Sequence, residues 1–142
     1  MPLNLTLKPD EKLIVNGAVL SNNSPRAVTL TFHNKAHLLQ QKDVLLPEDA
    51  NTPLLRIYFA AQSMYIDPER AEEHRKLFLQ FAEDLHAATT NVELRRAVEA
   101  ALKHVAEGQF YRALAALRAV RPIEDRLLNL NRPPPPQAEA AP

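Results

Sequence analysis

Between Leu3 and Phe32 the chain alternates apolar and polar positions with the period of two expected of half-buried strands. In "LNLTL", Leu3, Leu5 and Leu7 share one face and Asn4 and Thr6 the other; in "AVTLTFHN", Val28, Leu30 and Phe32 oppose Thr29, Thr31 and His33. "KLIVNGAVL" is a β-branched run split by Asn16-Gly17, a pair suited to the left-handed conformations of a tight hairpin turn. "SNNSPR" and "PEDANTP" read as polar loops. "AHLLQQKDVLL" has no breaker and fits a strand or a short helix, and "LLRIYFAAQSMYI", rich in Leu, Ile, Tyr and Phe, reads as one or two further strands.

At Asp67-Pro68 the period lengthens. Asp67 as N-cap, Pro68 in the first turn, and Glu69, Glu72 and Glu73 near the positive helix end predict a helix start. His74, Phe78, Phe81 and Leu85, joined by Leu77 and Ala82, form its stripe through about Ala88. Asn91 caps a second helix carrying Leu94, Val98, Ala101, Leu102 and Val105, which Gly108 stops. A third presents Phe110, Leu114, Leu117 and Val120. Pro122 makes "IEDRLLNLN" a separate turn or a kinked extension, and "RPPPPQAEAAP" has nothing to build a core from and reads as an extended, disordered tail.

The predicted class is therefore α+β: an N-terminal antiparallel β-rich half, residues 1–67, packed with a C-terminal three-helix segment, residues 68–131, and a Pro-rich tail, residues 132–142. Lys and Arg total 17 and Asp and Glu 17, so no bulk charge selects a polyanion, and any nucleic-acid contact rests on a local patch. The clearest imbalance is Gln109 to Arg121, where Arg112, Arg118 and Arg121 meet no carboxylate. Without cysteine there is no disulfide, thiolate nucleophile or Cys-based zinc site. No apolar run approaches the roughly 20 residues of a membrane span. A cytoplasmic protein with no membrane partner is the expectation.

Catalytic patterns are missing from the sequence. Two glycines cannot form a phosphate-cradling loop or a dinucleotide-binding turn, and no serine stands in a nucleophile elbow. The five histidines fit structural positions, and the acidic pairs fall in loops; the chain reads as non-enzymatic, with no cofactor and no metal. Binding remains. The basic residues of the first half, Lys8, Lys12, Arg26, Lys35, Lys42 and Arg56, suit either phosphate contacts to RNA or protection of sheet edges, and the basic face of the third helix suits solvent or an acidic partner.

Several ordered words narrow the choice. "LKPDEKLIVNGA", "NKAHLLQQKD", "TPLLRIYF" and "GQFYRAL" together resemble the FlbT family of flagellum biosynthesis regulators, over Met1 to about Arg121. The resemblance implies a post-transcriptional role exerted on the 5′ untranslated leader of flagellin messenger RNA, changing its translation and lifetime, with the small protein FlaF in the same circuit. Where the family has a basic and then an acidic residue, this chain has Gln40-Gln41. The opening segment also bears a looser likeness to the start of the CsrA translational repressors, which suggests Leu3 to Lys12 and the neighbourhood of Lys42 as a contact edge. On this reading Lys8, Lys12, Arg26, Lys35 and Lys42 are the RNA-binding candidates. Arg112, Arg118 and Arg121 are the partner-docking candidates, toward FlaF or flagellin.

Overall fold

The computed structural model describes residues 2–131, so the Pro-rich tail expected at 132–142 lies outside the described residues. Five short strands come first: β1 (Leu3–Leu7), β2 (Lys12–Val15), β3 (Ala18–Ser21), β4 (Val28–Phe32) and β5 (Leu38–Gln40). After single turns of tight helix at Gln41–Asp43 and Pro47–Asp49 come α1 (Pro53–Ile66), a further tight turn at Pro68–Arg70, α2 (Ala71–Ala88), α3 (Val92–Ala106), α4 (Phe110–Ala119) and α5 (Arg121–Asn131).

The strands form two antiparallel sheets. β1 pairs with β4 in the register Leu3 to Phe32, Leu5 to Leu30 and Leu7 to Val28, so the predicted apolar faces meet across the ladder. β2 is central in the second sheet, between β3 and β5. The Asn16-Gly17 turn forms as expected, both residues at positive φ (50° and 87°), which joins β2 tightly to β3.

Leu54 to Ile66, expected as strands, is a helix. Thr52 caps it by accepting the Leu55 N–H at 3.2 Å, and Pro53 occupies its first turn, where a missing donor costs nothing. Its Ile, Tyr and Phe content suits a strand, but the segment is apolar nearly all round because it is enclosed: Leu54, Ile57, Ala61 and Met64 are fully or almost fully buried. Each of the larger ones withdraws enough surface for about 2 kcal/mol. α1 packs on α2 and α4, and α3 closes the layer against α4 and α2.

The later helices follow the sequence more closely. Asn91 Oδ1 accepts the Leu94 N–H at 2.9 Å, and Gly108, at φ 75°, ends α3. On α2, Phe78, Ala82 and Leu85 are buried as expected, whereas Leu77 is half exposed. Asp67 precedes a tight turn, so the α-helix proper begins at Ala71, and its carboxylate faces His74 Nε2 at 3.3 Å. Pro122 is the second residue of α5, a position free of the interior clash; "IEDRLLNLN" is thus part of a further helix and neither of the two forms expected.

Candidate nucleic-acid interface

Three polar side chains one turn apart on α1 fasten β5 and the loop that follows it. The Tyr58 hydroxyl donates to the Asp43 carbonyl, and the Tyr65 hydroxyl donates to the Leu38 carbonyl at 3.1 Å. Between them Gln62 forms two bonds with Leu45, accepting its N–H and donating to its carbonyl, each at 2.8 Å. The carbonyls of Leu38 and Asp43 and both backbone groups of Leu45 thereby obtain their partners from side chains. Lys42 is carried on this pinned loop.

Opposite it, α4 and α5 bring Arg118 and Arg121, and these two arginines, Lys42, Asp43 and Tyr58 bound a recess of about 30 Å³. That space accepts a water or one anionic oxygen and is too small for a base, so it suits contact with a phosphate group. Arg118 is itself engaged. Its Nη1 donates to the Tyr58 hydroxyl at 3.2 Å and stands 3.7 Å from Asp43 Oδ1, with the guanidinium 5.4 Å from the centre of the Tyr111 ring. Burial alone works against its charge; the hydroxyls of Tyr58 and Tyr111 and the Asp43 carboxylate outweigh it and hold its pKa above the ordinary value.

Burial also pushes the Tyr58 phenol up, past the opposing pull of Arg118, and burial raises Tyr65 against the Leu38 hydrogen bond. Both phenols keep their protons in the folded state to higher pH than the ordinary 10.0, so above that pH the unfolded chain binds fewer protons and stability falls. The expected result is a melting temperature that declines as the pH climbs from 10.0 through the raised values, with a shallower decline in Tyr58→Phe. Equal slopes in the two proteins would contradict this.

Tyr111 and Arg118 extend an aromatic row: Tyr65 lies 6.1 Å from Tyr111, and His37 meets Tyr65 edge-on at 5.2 Å. Tyr111 is 44% exposed, so a basic and aromatic strip reaches the surface beside Lys42. The other basic candidates are dispersed. Asn22 Nδ2 donates to the Leu7 and Arg26 carbonyls, so Lys8 and Arg26 lie at one end of the β1–β4 ribbon. Lys35 lies near its other end, roughly 14 Å away for a five-residue strand. Lys12 starts β2 beside Leu5 and Gln40. All five lysine and arginine candidates of the first half are exposed, but they do not make one patch.

The arginine set divides too. Arg118 and Arg121 join Lys42, whereas Arg112, six residues before Arg118, projects from another side of α4 and is within 3.5 Å of Gln109. Gln41 accepts the Lys12 N–H at 2.7 Å and so ties β2 to the loop. Tyr58 and Tyr65 lie in the segment expected as strands; as i and i+7 partners on a helix they frame the site. Among the described residues no three His, Asp or Glu side chains gather as a metal site, and His86 faces Glu99 across α2 and α3 at 2.8 Å. Among the described residues no helix is long and apolar enough to cross a membrane.

Residues 3–128 match the family model described as Flagellar protein FlbT. A Chelativorans protein named "Probable flagellum biosynthesis repressor protein FlbT" is 43% identical over 132 residues, covering 90% of this chain and 87% of that protein. The relative of the same name from Caulobacter sp. (strain K31) is 38% identical over 90% of this chain and 97% of its own length. A Caulobacter vibrioides protein named "Flagellum biosynthesis repressor protein FlbT" is 37% identical over 90% of each. No solved structure matches. The fold and site define a small α+β protein built round a buried helix, with a basic, tyrosine-edged surface. The chain belongs to the FlbT family of flagellar proteins.

Proposed function

We propose that this chain regulates flagellum synthesis by binding the 5′ untranslated leader of flagellin messenger RNA, thereby limiting ribosome access and changing the lifetime of the message. The names of its relatives support the regulatory half of that reading. The observation that carries the RNA half is the meeting of Lys42 with Arg118 and Arg121 at a recess sized for a phosphate oxygen. Lys8, Lys12, Arg26 and Lys35 add phosphate contacts along a longer strand, and the chain acts without catalysing a reaction.

In a salt titration of the purified chain with the leader, affinity falls linearly in log–log form, by roughly 0.7 per phosphate contact. Removing Lys42 and Arg121 together, as Lys42→Ala and Arg121→Ala, lowers the slope by about 1.4 and weakens binding by about tenfold or more. Arg118 is left intact because it also holds Tyr58 and Asp43. A leader untouched at low salt defeats the proposal.

A second reading keeps the surface and exchanges RNA for an acidic face of FlaF or flagellin, with Arg112 as an added contact. Electroneutrality of the chain favours it, since bulk attraction to RNA is missing. RNA binding that arises only after FlaF is added selects this reading over the first.

A further inference from the structure

The β1–β4 ribbon and the second sheet stand side by side without joining. β1 is hydrogen-bonded to β4 alone, and β5 to β2 alone. Leu3 and Leu5 line the same cleft as Leu38 and Gln40, so β1 and β5 run in the same direction along its two sides. Toward Leu7 the cleft closes almost completely, to about 10 Å³, and toward Leu3 it opens into spaces of about 260 and 410 Å³.

The phase of the β2–β5 ladder shows which backbone groups of β5 face outward. Asn16 donates to the His37 carbonyl at 2.8 Å. Antiparallel alternation then turns the N–H and C=O of Leu39 toward β2, and those of Leu38 and Gln40 away from it, toward the cleft they line. Tyr65 takes the Leu38 carbonyl. The Leu38 and Gln40 N–H groups remain on the side of an incoming strand, while the Gln40 carbonyl takes the first bond of the tight turn Gln41–Asp43.

We infer that this cleft binds an extended segment of a partner protein by strand addition, antiparallel to both β1 and β5, with apolar side chains at alternate positions and carboxylates at its C-terminal end. The walls supply the apolar requirement: Leu3 is 48% exposed, and Leu5, Leu38, Tyr65 and Tyr111 face the same space. The charge requirement comes from the open end, where His33 and Lys35 line the cleft; no Asp or Glu lines either of its two wider parts. A strand antiparallel to β1 ends beside Leu3, and therefore beside these two bases. Two parallel strands left apart gain a better-aligned ladder from an antiparallel insert than from pairing with each other.

Other occupants fit less well. Unpaired bases need an open aromatic face, whereas Tyr111 carries Arg118 and the Tyr65 hydroxyl is committed to Leu38. A second copy would offer its edge strand β3, Ala18–Ser21, which has no carboxylate for His33 and Lys35.

The test uses the full chain labelled with nitrogen-15 and the synthetic peptide acetyl-Thr-Val-Thr-Val-Thr-Asp-Glu. The expected result is saturable shifts of the amides of Leu3–Leu7 and Leu38–Gln40, with dissociation in the range of about 10–100 µM. Methylating alternate peptide amides preserves the side chains and removes the ladder, and weakens binding at least about tenfold. Lys35→Glu, at an exposed position, weakens the acidic peptide and strengthens one ending in Lys-Lys. No shift by the peptide up to about 1 mM, whether or not an RNA oligonucleotide moves the same amides, equal binding of the methylated peptide, or the same amides moving in a dilution series, would each overturn the assignment. None of these outcomes depends on the leader-binding measurement, so the two proposals fail separately.

Discussion

Glu124→Ala lowers the stability of this protein by about 3 kcal/mol and its melting temperature by roughly 10 °C. Glu124 is 5% exposed, and both its oxygens are in use: Oε1 accepts the Thr52 hydroxyl at 2.6 Å and Oε2 the Leu54 N–H at 2.7 Å. The first turn of a helix leaves donors without intrahelical partners and carries partial positive charge, so a carboxylate there satisfies both. The carboxylate belongs to α5 and the helix end to α1, which makes the contact a fastener between elements 70 residues apart. Alanine strands a buried N–H and a half-buried hydroxyl, and the penalty comes chiefly from leaving the buried bond unmade. Glu124→Gln keeps one acceptor but turns an NH₂ toward the other donor, and costs about 1 kcal/mol. Urea unfolding of the three proteins checks the order; an alanine variant within about 0.5 kcal/mol of the parent removes the clasp from the account. Arg121 lies one turn before Glu124, so loosening α5 also withdraws a cation from the recess beside Lys42, and under the proposed function leader affinity falls with stability.

The parts of this fold legible in the sequence are those governed by neighbours in the chain. The Asn16-Gly17 turn, the Asn91 cap and the Gly108 stop each depend on residues a few positions apart, and each forms as read. Leu54–Ile66 was misread because composition outweighed length and boundary signals. Thr52-Pro53 is an N-cap followed by a favoured first-turn residue, and 14 residues without a breaker exceed an ordinary strand. The site shows the same division. Lys42, Arg118 and Arg121 each stand out as basic residues, yet their meeting from the loop after β5, α4 and α5 is a tertiary fact that no local spacing encodes. Nor does local pattern reveal that Arg118 is partly spent on Tyr58 and Asp43, because Tyr58 acquires its role only once its segment is helical. Glu124 reads as a solvated loop acid until α1 is given an N-terminus for it to cap.

Gly17→Ala is expected to cost about 3 kcal/mol or more, against about 1 kcal/mol for Gly108→Ala. Both glycines are left-handed, at φ +87° and +75°, so alanine strains the backbone at each. They differ in what surrounds them. A Cβ at Gly108 meets nothing within 4 Å, whereas one at Gly17 falls 2.5 Å from the carbonyl oxygen of Ile66, a backbone atom at the end of α1 that cannot swing aside. The hairpin is held at that spot from its other side as well, since Asn16 exchanges hydrogen bonds with His37, its N–H to the carbonyl and its Oδ1 from the N–H, each at 2.8 Å. Relief of the clash therefore has to displace β2 and β3 together, and with them Ile14 and Leu39, which are buried against the helices. The same movement shifts β5, the strand that precedes Lys42 and borders the cleft beside β1. Thermal melts of the two variants, read alongside amide shifts of Leu38–Gln40, separate the contributions: backbone strain alone predicts equal losses and an unmoved β5, while the close approach predicts a larger loss at Gly17 with β5 displaced.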